Sequence, residues 1–328
     1  MKNGSSNQIP NKSKNHLLIA LIALGAVFIL IICGVVALLL IGSDDVDQLG
    51  QSNTSTYSAN MTNGYVSVVE YGAIPSDGKD DTDAFLRAAA SGRGIYVPAG
   101  EYHISKTIEI KGKDIIGEGL GLTKIKGTSS DALFRLSGNG RLAEMSLGYS
   151  DGNAARGEKT AVRVVAGESS GLAPSLKNVE FCQIGTAVFV ESGTTGIRLE
   201  DLTIEKFGYA GVVFDAKGHR GAILRSIWVR NALAGASYGI ELQGDEGTLL
   251  EQITVEESKL KQGVYFDGSV GFSVKTAQFL KVNTTAMLGG KKAAGRIGSV
   301  YTQGSAGDIV GFFEPVSGEI KPEYTVVR

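Results

Sequence analysis

A six-residue phrase, apolar-x-x-apolar-x-apolar, recurs five times between Leu176 and Phe279. Its copies begin at Leu176, Leu199, Leu224, Leu250 and Val274, about 23 to 26 residues apart, a period that marks stacked structural repeats. A second phrase falls between the copies: a small residue, then apolar residues two apart. It reads Ala187-Val-Phe-Val190, Gly211-Val-Val-Phe214, Gly239-Ile-Glu-Leu242 and Gly263-Val-Tyr-Phe266. Spacing by two is the mark of a strand with one buried face. Two short strands and Gly-rich turns fill each period, which leaves no room for the dozen-residue crossover of a βαβ unit. A β-sandwich also has short strands, but not the same side-chain class at the same offset in every copy. The chain therefore predicts an all-β solenoid, a single-stranded parallel β-helix whose equivalent residues stack in ladders. Its 45 glycines, about twice ordinary usage, suit turns that bend at the same place in each coil.

The first 64 residues are of another kind. Leu17 to Ile41 holds no charged residue over about 25 positions, long enough to span a bilayer. A cleaved signal peptide has a shorter apolar core and a small-residue cleavage site, and Leu38-Leu39-Leu40-Ile41 offers none. Lys2, Lys12 and Lys14 precede the run and Asp44, Asp45 and Asp47 follow it, which keeps the N-terminus inside. The expected organisation is a cytoplasmic tail (1–16), a transmembrane signal-anchor helix (17–41), a polar flexible linker (42–64) and a β-helix domain (65–328) outside the membrane, periplasmic or extracellular. A net charge of −2 gives no basic field for nucleic acid. Two cysteines, Cys33 in the apolar run and Cys182 in a repeat, make no disulfide or metal framework.

The domain opens with Tyr71-Gly72-Ala73, Asp77-Gly78, Asp80-Asp81-Thr82-Asp83-Ala84 and Val97-Pro98-Ala-Gly100-Glu-Tyr102-His-Ile104. Asp77-Gly78 is a turn. Asp81 or Thr82 can cap a short helix whose apolar face, Ala84, Phe85, Leu86, Ala88 and Ala89, suits it to cover the solenoid's open end. This run resembles the start of the pectate-lyase superfamily modules of the pectin-lyase-like β-helix proteins, phage tailspikes and glucanases among them. The motif spans about 40 residues, and the repeats extend the likeness over 66–328. The resemblance implies a right-handed coil and an enzyme acting on a polysaccharide or other glycan, by hydrolysis or β-elimination. Family tailspikes are trimers, so it also implies a homotrimer as one assembly state.

In register, the repeats separate inward from outward side chains. One outward ladder is Ser146, Glu180, Thr203, Trp228, Thr254, Gln278, and its neighbour is Gly148, Cys182, Glu205, Arg230, Glu256, Leu280. The only Trp thus stands beside a Glu205–Arg230–Glu256 column. Either this is a salt-bridge ladder, or Trp228 and Arg230 bind a sugar between catalytic carboxylates Glu205 and Glu256. Two rungs of about 4.8 Å place those carboxylates at the wide edge of the inverting-hydrolase range. A rival ladder is Glu191, Asp215, Gln243, Asp267, beside Phe189, Val213, Glu241, Tyr265. Glu191 and Asp215 on adjacent rungs suit a nucleophile-plus-acid pair. His219, after Asp215, is a candidate proton carrier and substrate contact. Gly218-His219 is similar to part of the Gly-His-Gly of polygalacturonases, but their other acidic and basic elements are missing at the family's spacing, so that activity is not carried over.

A β-eliminating lyase is the second enzymatic reading. It needs a base, Tyr265, Lys217 or Arg230, and a cation to neutralise a uronate, Ca²⁺ held by Asp215 and Asp267 with Gln243 between them. Non-enzymatic readings are a carbohydrate-binding or adhesive module using Trp228 and Tyr265, and a rigid structural surface protein.

Overall fold

The computed structural model describes residues 64–128, 131–150, 159–166, 173–215, 218–282, 285–289, 293–304, 310–311 and 325–327. The expected tail, the apolar run Leu17–Ile41 expected to span a membrane, nearly all of the expected linker, and Lys217 lie outside the described residues. Among the described residues no helix is long and apolar enough to cross a membrane.

Each coil folds by the two phrases of the repeat. In the strand Ile223–Arg230, Leu224, Ile227 and Val229 are buried, and Arg225 and Trp228 are exposed. Leu224 and Ile227 both point inward although three residues apart, which strict alternation forbids. Ser226 resolves the conflict with a left-handed φ of 54°. Asp201 (55°) and Asn178 (52°) do the same one and two rungs earlier. The x-x of the phrase is therefore a bend between two sheets, held by residues that mostly tolerate this conformation. A second column of bends follows at Gln183, Lys206, Asn231, Glu257 and Lys281.

Three parallel sheets result. The first includes Gly94–Val97, Asp114–Gly117, 141–143, 175–177, 198–200 and 223–225. The second includes Gly100–Ile104, Thr123–Gly127, 179–182, 202–205, 227–230 and 253–256. The third includes Ile108–Lys111, Ala132–Ser137, Thr160–Val164, 186–190, 210–214, Tyr238–Gln243 and Gln262–Asp267. The core runs up the middle as stacked columns such as Val179–Leu202–Ile227–Ile253 and Phe181–Ile204–Val229–Val255, all buried. The small residue that opens the second phrase has a steric cause. A Cβ on Gly211 would sit 2.5 Å from the Gly239 carbonyl oxygen, and one on Gly239 would sit 2.5 Å from that of Gly263.

The entry motif is structural throughout. The helix Thr82–Ala90 buries Ala84, Phe85 and Ala88, with Phe85 edge-on to Tyr102 at 5.8 Å. Asp81 stands at the cap position, but its carboxylate takes no cap bond. It accepts instead from the Ile74 and His103 amides at 3.0 and 3.2 Å, tying the loop to the second sheet. Asp80 receives the Thr82 amide at 2.9 Å, and Asp77 the Lys79 amide at 2.9 Å.

Candidate functional site

Both outward ladders stand as the repeat predicts. The second sheet pairs Ser146, Glu180, Thr203, Trp228, Thr254 and Gln278 rung by rung, and beside them Cys182, Glu205, Arg230, Glu256 and Leu280. Arg230 ion-pairs with Glu205 at 3.0 Å and lies over the Trp228 ring at 4.5 Å. The indole N–H donates to Glu256 at 3.1 Å. Glu205 also meets Lys206 at 3.6 Å and the Asn231 amide at 3.4 Å. With two cations and an amide on it, Glu205 is a structural counter-ion rather than a free acid or base. Glu256 is committed only to the indole. These four residues converge, but Glu205 and Glu256 stay two rungs apart with Arg230 between them.

The third sheet carries the rival ladder and a residue that sequence reasoning passed over. Its outward column is Glu109, Arg135, Arg163, Phe189, Val213, Glu241, Tyr265. Glu191 turns to the arginines, at 3.7 Å from both Arg135 and Arg163. This ion-pair cluster removes Glu191 from the nucleophile role expected with Asp215, because a carboxylate shared between two guanidinium groups is a poor nucleophile.

Glu241 is the carboxylate in the middle of this face, only 3% exposed. Its oxygens accept from the Gln243 amide at 2.7 Å and the Tyr209 hydroxyl at 3.4 Å. Tyr238 stacks on Tyr265 at 5.2 Å with rings 13° from parallel, and Tyr209 meets Tyr238 edge-on at 6.2 Å. Burial raises the Glu241 carboxyl above the usual range, and the charges of Asp215 and Asp267 push the same way, against the two hydrogen bonds. Asp215 and Asp267 end the strands on either side of the Glu241 strand, two residues beyond its neighbours Val213 and Tyr265. Such diagonal positions lie about 7–8 Å apart. A buried carboxyl with a raised pKa, flanked by two carboxylates, is the kind of arrangement from which an acid and a base can be drawn. The signal was present in the sequence: Glu241 is the one acidic residue in a column otherwise apolar or aromatic around it.

Burial, then Asp267, raises the Tyr265 phenol above its ordinary value, the wrong direction for a base. Asp215 and Asp267 stand two rungs apart, with the Glu241 strand between them. Among the described residues no three acidic, His or Cys side chains gather as a metal site.

His219 requires a correction. Expected as a solvated loop proton carrier and substrate contact, it is 0% exposed. Its Nε2 donates to the Asp215 carbonyl oxygen at 2.8 Å and its ring meets Phe214 edge-on at 5.3 Å. It pairs in register with Asp245, and Thr194 and Ser269 extend the same buried column. Thr194 and Ser269 also bond strand-end carbonyls, at 2.7 and 2.9 Å. The column is an internal corner that caps the third sheet. A repeated polar-x-Gly marks it: Thr194-Thr-Gly196, His219-Arg-Gly221, Asp245-Glu-Gly247, Ser269-Val-Gly271.

Both Asp245 carboxyl oxygens are buried without a well-aligned hydrogen bond, and the adjoining Thr248 hydroxyl and amide offset that burial only in part. Burial raises this carboxyl. The folded state therefore holds a proton that the unfolded chain has already released, and this group's contribution falls as pH rises from about 4 through the folded value. Asp245→Asn is expected to melt above the wild type by a margin that is small at pH 4 and widens toward pH 7. A margin that stays constant with pH would show that the buried group does not titrate.

The comparisons agree with this architecture. The chain is 44% identical over 62 residues to the putative phage-related protein YobO of Bacillus subtilis (strain 168), covering 19% of this chain and 8% of that one. It is 41% identical over 51 residues to the pre-neck appendage protein of Bacillus phage B103, covering 16% and 6%. It thus spans a small fraction of the length of these curated relatives. The enzymatically active domain of tailspike protein 2 of bacteriophage CBA120 superposes with a TM-score of 0.54 at 14% identity, over 81% of this chain and 47% of that one. At that identity the likeness shows the fold, a parallel β-helix. The model of the rhamnogalacturonase A/epimerase, pectate lyase-like family matches residues 65–265. That match takes in the entry motif, the first four copies of the repeat, and Asp215 and Glu241 of the third-sheet carboxylates, and the chain belongs to this family of pectin-lyase-like β-helices.

Proposed function

We propose that the chain is a polysaccharide hydrolase of the inverting type, held outside a membrane by its N-terminal apolar segment, with its active centre on the outer face of the third sheet. The observation that carries this reading is Glu241, a 3%-exposed carboxyl raised by burial between Asp215 and Asp267. Glu241 enters the reaction protonated and donates to the glycosidic oxygen as the C–O bond breaks. Asp215 or Asp267 takes a proton from a water that attacks the anomeric carbon on the opposite face, so the configuration inverts. The stacked Tyr238 and Tyr265 rings form the wall against which a pyranose packs. The membrane tether rests on the uncharged run Leu17–Ile41 and the lysines before it.

The test is product analysis of the full chain on a panel of neutral and acidic polysaccharides. New reducing ends whose first-formed anomer is inverted, seen by proton NMR, are expected, without the ultraviolet absorbance of unsaturated uronides. Absorbance at that wavelength would mean elimination and sink the acid–base assignment. A retained anomer would require a nucleophile in contact with the sugar and would sink it equally.

A further inference from the structure

The second sheet bears a groove that the third-sheet chemistry does not use. It encloses about 490 Å³ above Thr203, Trp228, Thr254 and Gln278, with Asn178 and Leu120 at its side. We infer that this groove is a separate, non-catalytic binding face for a linear neutral polysaccharide running along the solenoid axis.

Three observations select that occupant. Trp228 is 38% exposed and lines the groove, while the Arg230 that covers one side of its ring does not line it. The indole thus offers the groove an apolar plate suited to the C–H face of a pyranose. The floor on the following rungs is Thr254 and Gln278, uncharged hydroxyl and amide groups that pair with sugar hydroxyls. The next rung presents Tyr301, also 38% exposed, in register with Gln278. Trp228 and Tyr301 are thus three rungs apart, about 14 Å, two aromatic plates with a polar stretch between them. A chain of rings lying along the ladder meets both at once, whereas a single sugar meets one.

Charge narrows the class further. The ionisable residues lining the groove, Asp201 and Glu256, are acidic, and Glu256 is already bonded to the indole N–H. The nearby cation Arg230 is held by Glu205 at 3.0 Å. Among the described residues lining the groove none is a cation that could neutralise a uronate or sulfate, so an acidic polymer is repelled and a neutral one is not.

The chain's single Trp makes the test direct, because its fluorescence reports this face alone and cannot arise from the third sheet. The full chain is titrated with maltohexaose, cellohexaose and laminarihexaose, and with hexagalacturonate as the acidic probe. A saturable change in Trp emission with at least one neutral hexaose, and none with hexagalacturonate, is expected. Tyr301→Ala is expected to weaken that binding by about tenfold, since it removes one stacking plate. Calorimetry of Trp228→Ala, with circular dichroism to show that it folds, is expected to lose binding. Silence with all neutral probes, a response to the acidic probe alone, or Tyr301→Ala binding as tightly as wild type would each overturn the proposal. A response only to added protein would assign the groove to a protein partner instead. None of these outcomes depends on whether Glu241 is catalytic.

Discussion

Glu241→Gln is expected to cut hydrolysis by about 10²–10⁴-fold, the range lost when a general acid is removed. Glutamine keeps the shape and can still pair with Tyr209 and Gln243, so a loss of activity would not be a loss of fold. The melting temperature is expected to rise, because a buried carboxyl raised by desolvation weighs against the folded state near neutral pH. The substrate dependence separates catalysis from structure. An aryl glycoside with a strongly acidic leaving group needs no protonation, and the variant is expected to retain most of the wild-type rate on it. The wild-type rate should fall as pH rises through the Glu241 value, and that limb should be missing from the variant. Equal loss on both substrates would mean that Glu241 only positions the tyrosines. Asp215→Asn and Asp267→Asn then identify the base, whose loss no leaving group rescues.

The ladders were legible from the sequence because a solenoid of nearly constant period makes register an arithmetic question. Once Val179, Leu202, Ile227 and Ile253 were aligned, Trp228, Arg230 and their neighbours had to point outward. Direction was legible, but company was not. Whether Glu205 and Glu191 are free acids or counter-ions depends on where arginines on other rungs swing, and the repeat does not encode that. Glu241 was overlooked for a related reason. An outward position in a strand reads as solvated, and here the carboxylate is 3% exposed and takes the Tyr209 hydroxyl from the preceding rung. His219 failed in the opposite sense: a Gly-flanked polar residue reads as a loop, yet the corner between the third and first sheets turns it inward. The bends at Asn178, Asp201 and Ser226 were visible only as an interval of three in a pattern of twos.

Phe214→Ala is the substitution expected to cost the fold most among those near the site. Its ring is fully buried in the inward column Val190–Phe214–Leu242–Phe266 and packs edge-on to His219 at 5.3 Å. Removing a buried phenyl ring costs about 3–5 kcal/mol, transfer and cavity together, a large part of the roughly 5–15 kcal/mol that holds a domain folded. The exposed charge column Arg225–Glu251–Lys275 supplies the contrast. These ion pairs lie on the outer surface, Glu251 partly covered by its partners, and Glu251→Ala is expected to shift the denaturant midpoint far less than Phe214→Ala. In a solenoid each rung touches only the next, so the cavity should loosen its neighbours first. Hydrogen exchange of the full chain should therefore speed up in 186–190 and 238–243, with Gly100–Ile104 keeping its protection. Because Asp215 follows Phe214 and Glu241 precedes Leu242, the rungs that carry the proposed acid and base would loosen before the chain unfolds, and the proposed activity should fall at temperatures below the melting point. Uniform loss of protection along the whole domain would instead mean that the rungs unfold as one unit. The site would then have no local stability of its own to lose.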